Sequence, residues 1–73
     1  MSEEYILKAL QETNKKIADL KEFNLPVILQ TIEDYKKAGA DQHFIEQQET
    51  QLKKVYAMIE ELEAKKIRLF NRL

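Results

Sequence analysis

Cysteine and tryptophan are missing from the 73 residues, and glycine and proline occur once each. Each scarcity removes a class of protein. Without cysteine there are no disulfide staples and no thiolate metal ligands. One glycine and one proline are far too few for the loops of a β-rich domain or the composition of a disordered linker. A surplus of charge of one sign is also lacking, because the 34% of charged residues cancel to a net −1. Such a chain has no overall field for a nucleic-acid backbone, which disfavours DNA and RNA as partners. No apolar run approaches the roughly 20 residues that span a bilayer. The opening "MSEEYILKAL" is acidic where a secretory leader would be basic. These features lead us to expect one all-α domain over residues 1–73, in the cytoplasm.

What the sequence has in abundance is helical periodicity. Ser2 followed by Glu3 and Glu4 has the form of a cap with acidic residues in the first turn. The stretch "YKKAGAD" reads as a stop and restart. Lys36 and Lys37 complement a last turn, Gly39 supplies a left-handed residue, and Asp41 caps the next helix. The spacing predicts a helix over about 3–38, a turn at 39–41 and a second helix over about 42–72.

In the second helix, Ile45, Leu52, Val55, Ile59, Leu62, Leu69 and Leu73 repeat at three and four residues, interrupted by Gln48 and Lys66. The first helix has two such sets: Ile6, Leu10, Ile17 and Leu20, with Thr13 and Asn24 in polar slots, then Leu25, Ile28, Ile32 and Tyr35. Between the sets the phase slips by one residue, beside Pro26. Folding the chain back on itself gives facing residues whose numbers sum to a constant. Ile6 with Leu73, Leu10 with Leu69, Ile17 with Leu62 and Leu20 with Ile59 sum to 79, whereas Ile28 with Leu52 and Ile32 with Gln48 sum to 80.

Proline lacks an N–H and crowds the carbonyl four residues back, which costs about 3 kcal/mol inside a regular helix. A kink or bulge near residues 23–26 is therefore expected to absorb the additional residue. The predicted fold is an antiparallel helical hairpin, its first helix kinked at Pro26, dimerising into a four-helix bundle. The alternative takes Asn24 as a new N-cap and gives a three-helix bundle.

Few residues suggest chemistry. Glu4–Lys8, Glu12–Lys16, Glu33–Lys37, Glu49–Lys53 and Glu61–Lys65 are Glu-to-Lys pairs four residues apart, each worth about 0.2–0.5 kcal/mol to its own helix. They read as a solvated face, since acid–base work needs carboxylates in a water-poor pocket. His43 is the only histidine, and no set of inward Glu or His ligands accompanies it. Phosphate loops and nucleophile motifs are missing. We expect no enzyme activity, no cofactor, no metal and no small-molecule substrate. The basic end "EAKKIRLFNRL" could hold a membrane surface or nucleic acid, but dipole complementation accounts for it more simply.

The remaining signal is surplus apolar surface. A two-helix seam uses one stripe of each helix, leaving Leu7 and Phe70 on one flank and Phe23 and Met58 on the other. Leu29, Phe44 and Tyr56 also lie outside it, with Val27 and Ile67 further round. Large apolar residues along both flanks need a cover. A chain this short has little stability margin without a metal, a disulfide or another subunit. Association remains, so Leu7, Phe23, Leu29, Phe44, Tyr56, Met58, Ile67 and Phe70 are the expected contact residues for a homodimer or a helical protein partner.

The functional expectation is a non-enzymatic interaction module, a small adaptor, chaperone or inhibitor. In its "AGADQHF" turn followed by a long amphipathic helix the chain is similar to the hairpin co-chaperones of type III secretion needle subunits. In outline it is also similar to the hairpin phosphatases of sporulation phosphorelays. It departs from their serine-glutamine-glutamate-leucine-aspartate motif, since the nearest stretch is Gln47-Gln48-Glu49-Thr50-Gln51. A phage or plasmid accessory regulator is the further alternative.

Overall fold

The computed structural model describes residues 2–73. Helix α1 spans Glu3–Asp19, a π-helical segment spans Leu20–Asn24, α2 spans Leu25–Ala38, and α3 spans Gln42–Phe70. The first three run on without a loop, so the molecule is two antiparallel rods, the first of them bent. Its extents are 54 × 15 × 11 Å. The Cα radius of gyration is 16.4 Å, against about 11 Å for a compact domain of this length. A rod has no second layer of structure to cover its sides.

Local chemistry sets the ends. The Ser2 side chain accepts a hydrogen bond from the Tyr5 N–H, and Glu3 and Glu4 occupy the first turn of α1. Gly39 closes α2 in the left-handed region at φ 66°, with its N–H donating to the Lys36 carbonyl. Asp41 then accepts from the His43 N–H at 2.9 Å and starts α3. At the far end α3 stops at Phe70, before the expected 72. There the Arg72 and Leu73 N–H groups bond the carbonyls of Leu69 and Phe70 in a tightened turn. Leu73 is consequently exposed, so the expected pairing of Ile6 with Leu73 does not form a buried contact.

The one-residue phase step is absorbed by the π segment. The Leu25 N–H donates to the carbonyl of Leu20, five residues back. Such a turn holds one more residue than an α turn and rotates the next stretch of helix back onto the seam. Pro26 sits near the start of α2, where the bonding pattern changes from five residues back to four. Its missing N–H therefore falls in a ladder that is already irregular. Asn24 is helical at φ −64° and ψ −49° and makes no side-chain cap bond. That geometry rules out the N-cap on which the three-helix alternative depended. Asn24 also leaves the polar seam slot expected of it, since it lies on the exposed outside of the widened turn.

Packing obeys the paired register. Ile6 and Leu10 cluster with Leu69, supported by Ala9. Leu20, Val55 and Ile59 form a second cluster, with Leu25, Ile28 and Leu62 packed against it. Between them lies Thr13, 2% exposed, whose hydroxyl donates to the Ala9 carbonyl at 2.8 Å. This bond lets a polar residue sit in the seam without an orphaned donor.

Candidate functional site

Residues seven apart share one side of a heptad seam, so a single contact on each side fixes which flanking residues are neighbours. On one side the Lys21 Nζ lies 3.4 Å from the Glu63 carboxylate, bridging the rods. Heptad steps place Leu7 with Lys21 on the first rod, and Tyr56 and Phe70 with Glu63 on α3. Beyond the π segment the spacing lengthens by one and adds Leu29. The result is a broad face on which Leu7, Leu29, Tyr56 and Phe70 surround a central ion pair.

The opposite broad face carries an open groove of about 560 Å³ between α1 and α3. Leu20, Leu62 and Met58 supply its apolar lining, and Lys16, Asp19, Glu61, Lys65 and Arg68 its charges. Heptad steps from Lys16 and Met58 put Phe23 and Phe44 on this face as well. Phe23 leads into a smaller hollow beyond the bulge with Asn24, Val27 and Ile28. Phe44 stands with its ring 6.1 Å from that of Tyr35 and 5.9 Å from that of His43, centroid to centroid. The eight expected contact residues therefore divide between two faces. Leu7, Leu29, Tyr56 and Phe70 lie on the first, Phe23, Phe44 and Met58 on the second, and Ile67 on the outer side of α3 next to the first.

All eight are exposed. The phenylalanines are most telling, since Phe23, Phe44 and Phe70 are 64%, 50% and 52% exposed. Tyr5 and Tyr56 are exposed too, leaving Tyr35 alone among the six aromatic residues partly covered. Phenylalanine ordinarily contributes about 150–250 Å² of buried area to a core or an interface. Here the hairpin itself gives none of the three a core.

The charged groups mostly face water. Of the five Glu-to-Lys pairs in the sequence, Glu33–Lys37 is in ion contact, at 3.2 Å. Exposed pairs gain too little to hold two long side chains in one geometry. Lys21–Glu63 was the contact that sequence reasoning missed. His43 is exposed, with Nε2 3.3 Å from the Gln47 amide nitrogen. Among the described residues no three histidine or acidic side chains gather as a metal site. No helix there is long and apolar enough to cross a membrane.

No protein-family model matches the chain, and neither the curated proteins nor the solved structures give a match. The likenesses of layout to needle co-chaperones and phosphorelay phosphatases thus bring no family assignment, and functional inference rests on the two faces.

Proposed function

We propose that the chain is a non-enzymatic, self-associating interaction module of the cytoplasm. One broad face takes a second copy, and the other receives a helix of a protein partner that the module sequesters, escorts or inhibits. The observation that supports this most is the exposure of all three phenylalanines along a rod in which every large side chain among the described residues keeps some contact with solvent. Aromatic anchors set among half-polar flanks are the composition of an interface centre. Both contacts are between helix faces, with residues spaced at threes and fours as anchors.

Thermal unfolding monitored by circular dichroism at chain concentrations a hundredfold apart tests the self-association. Folding linked to assembly raises the midpoint with concentration. A midpoint independent of concentration contradicts the reading. Partner binding through an apolar face also predicts affinity that changes little with added salt. A steep salt dependence would favour instead a nucleic acid or anionic surface at the basic end of α3.

A further inference from the structure

The reading as a self-associating module leaves open which face meets the second copy. We infer that it is the grooved face, with the two copies running antiparallel about a two-fold axis at mid-rod. The inference rests on that reading and on the distribution of side chains along the rod.

An isologous contact requires a patch complementary to itself after a half-turn. Phe23 and Met58 supply the middle of such a patch. By the seam register Phe23 is level with Tyr56, and Tyr56 is the central residue of α3. An axis crossing beside Ala57 therefore brings the Phe23–Met58 pair of one copy onto that of the other. Phe44, near the turn, then lies level with residue 70 of the second copy, which is the level of its Ala9.

The charges obey the same half-turn. Arg68 is eleven residues beyond Ala57, so it falls at level 46 of the second copy, the level of Asp34. Lys54 falls at level 60, that of Asp19, with Glu61 one residue further. Lys54 and Arg68 thus meet acids, and each match occurs twice across the axis. Neither Lys54 nor Arg68 has an ion-pair partner within its own chain among the described residues. The same axis applied to the other face sets Phe70 at level 44, near the charged turn end of the second copy, and moves Tyr56 toward Lys21 and Glu63. At the middle of that face the axis brings a Tyr56–Lys21 pair onto its copy, where the grooved face brings the wholly apolar Phe23–Met58 pair.

Size also agrees. The broad face measures 54 by 15 Å, so covering it buries on the order of 800 Å² per copy, the usual area of a specific interface.

Because the chain has no cysteine, single-cysteine variants of the full chain test the face directly. Met58→Cys and Tyr56→Cys lie at the same height on opposite faces. With a short thiol-to-thiol cross-linker, Met58→Cys is expected to give covalent dimer at least tenfold faster than Tyr56→Cys. Equal rates, or faster linkage through Tyr56→Cys, overturn the assignment while leaving self-association standing. A monomer at every concentration overturns both. A charge exchange supplies the second arm, since both positions are exposed and neither is needed for the hairpin seam. Asp34→Arg and Arg68→Asp should each raise the dimer dissociation constant roughly tenfold, as each contact occurs twice. The double variant should return to within about twofold of wild type. Additive weakening in the double variant contradicts the antiparallel register.

Discussion

Helix α1 and helix α2 belong to one bent rod but use their apolar residues differently. Seven of the 17 residues of α1 are apolar, and Ile6, Leu10 and Ile17 among them are buried. Seven of the 14 residues of α2 are apolar, yet Ile32 alone is buried. The richer helix buries less. The reason lies in what each faces. Helix α1 packs against Leu69, whereas Leu25 and Ile28 of α2 pack against Val55 and Ile59 and the rest of α2 faces, by the seam register, the stretch Ile45–Leu52, where Gln48 holds the middle seam position. The open-ended half thus buries more of its apolar residues, and the turn half presents Val27 outward with Phe23 on one face and Leu29 on the other. Burial is thus uneven along the rod, with the π segment as the boundary, while exposed apolar residues lie on both sides of it.

The largest expected effect comes from shifting that boundary. Deleting Asn14 rotates Ile6 and Leu10 off the seam, for an expected loss on the order of 3 to 6 kcal/mol in denaturant unfolding, about 1.5–3 per side chain. Deleting Asn24 together with Pro26→Ala removes the π turn and brings both halves to one register, so stability should equal or exceed wild type. A large loss from this second deletion would break the comparison, because the additional residue would then be structural in its own right.

Next in size, Leu10→Ala should cost about 2–5 kcal/mol as a buried truncation, against under about 1 kcal/mol for Leu29→Ala, both at one fixed chain concentration. Similar costs would mean that α2 is as deeply packed as α1. Gly39→Ala comes after these at about 1 kcal/mol, the penalty of a left-handed alanine. No atom lies within 4 Å of the added Cβ, so the loss is conformational alone. The smallest effect is expected of Lys21→Gln. Its ion pair with Glu63 is 53% and 42% exposed, so the change should stay below about 0.5 kcal/mol and shrink further with added salt.

Much of this architecture was legible in the residues. The caps at Ser2 and Asp41 and the stop at Gly39 are local signals, and each does in the structure what its chemistry suggests. The seam was legible because periodicity over the 29 residues of α3 leaves little choice of face. The phase step located the irregularity to within a few residues. Its form was not legible, since whether a bulge is absorbed before or after Pro26 depends on how Leu20 and Leu25 both find room against Val55 and Ile59. That choice moved Asn24 from the seam to the surface. The end of α3 was placed two residues late, because nothing local near Asn71 marks a stop. Lys21–Glu63 escaped notice because it joins flank positions 42 residues apart that the seam register does not set level: Lys21 falls at the height of Met58, and its long side chain reaches along the rod to Glu63. The sorting of the exposed residues into two faces was implicit in that register. It needed the bulge counted as one residue to carry Leu29 to the side of Tyr56.

Sedimentation equilibrium of the purified full chain tests the central claim most directly. The account predicts a reversible shift from one chain to a species of twice the 8.7 kDa chain mass as concentration rises, with Phe23→Glu moving the equilibrium back to the single chain. A single chain at every concentration, folded and with its phenylalanines in water, would contradict it.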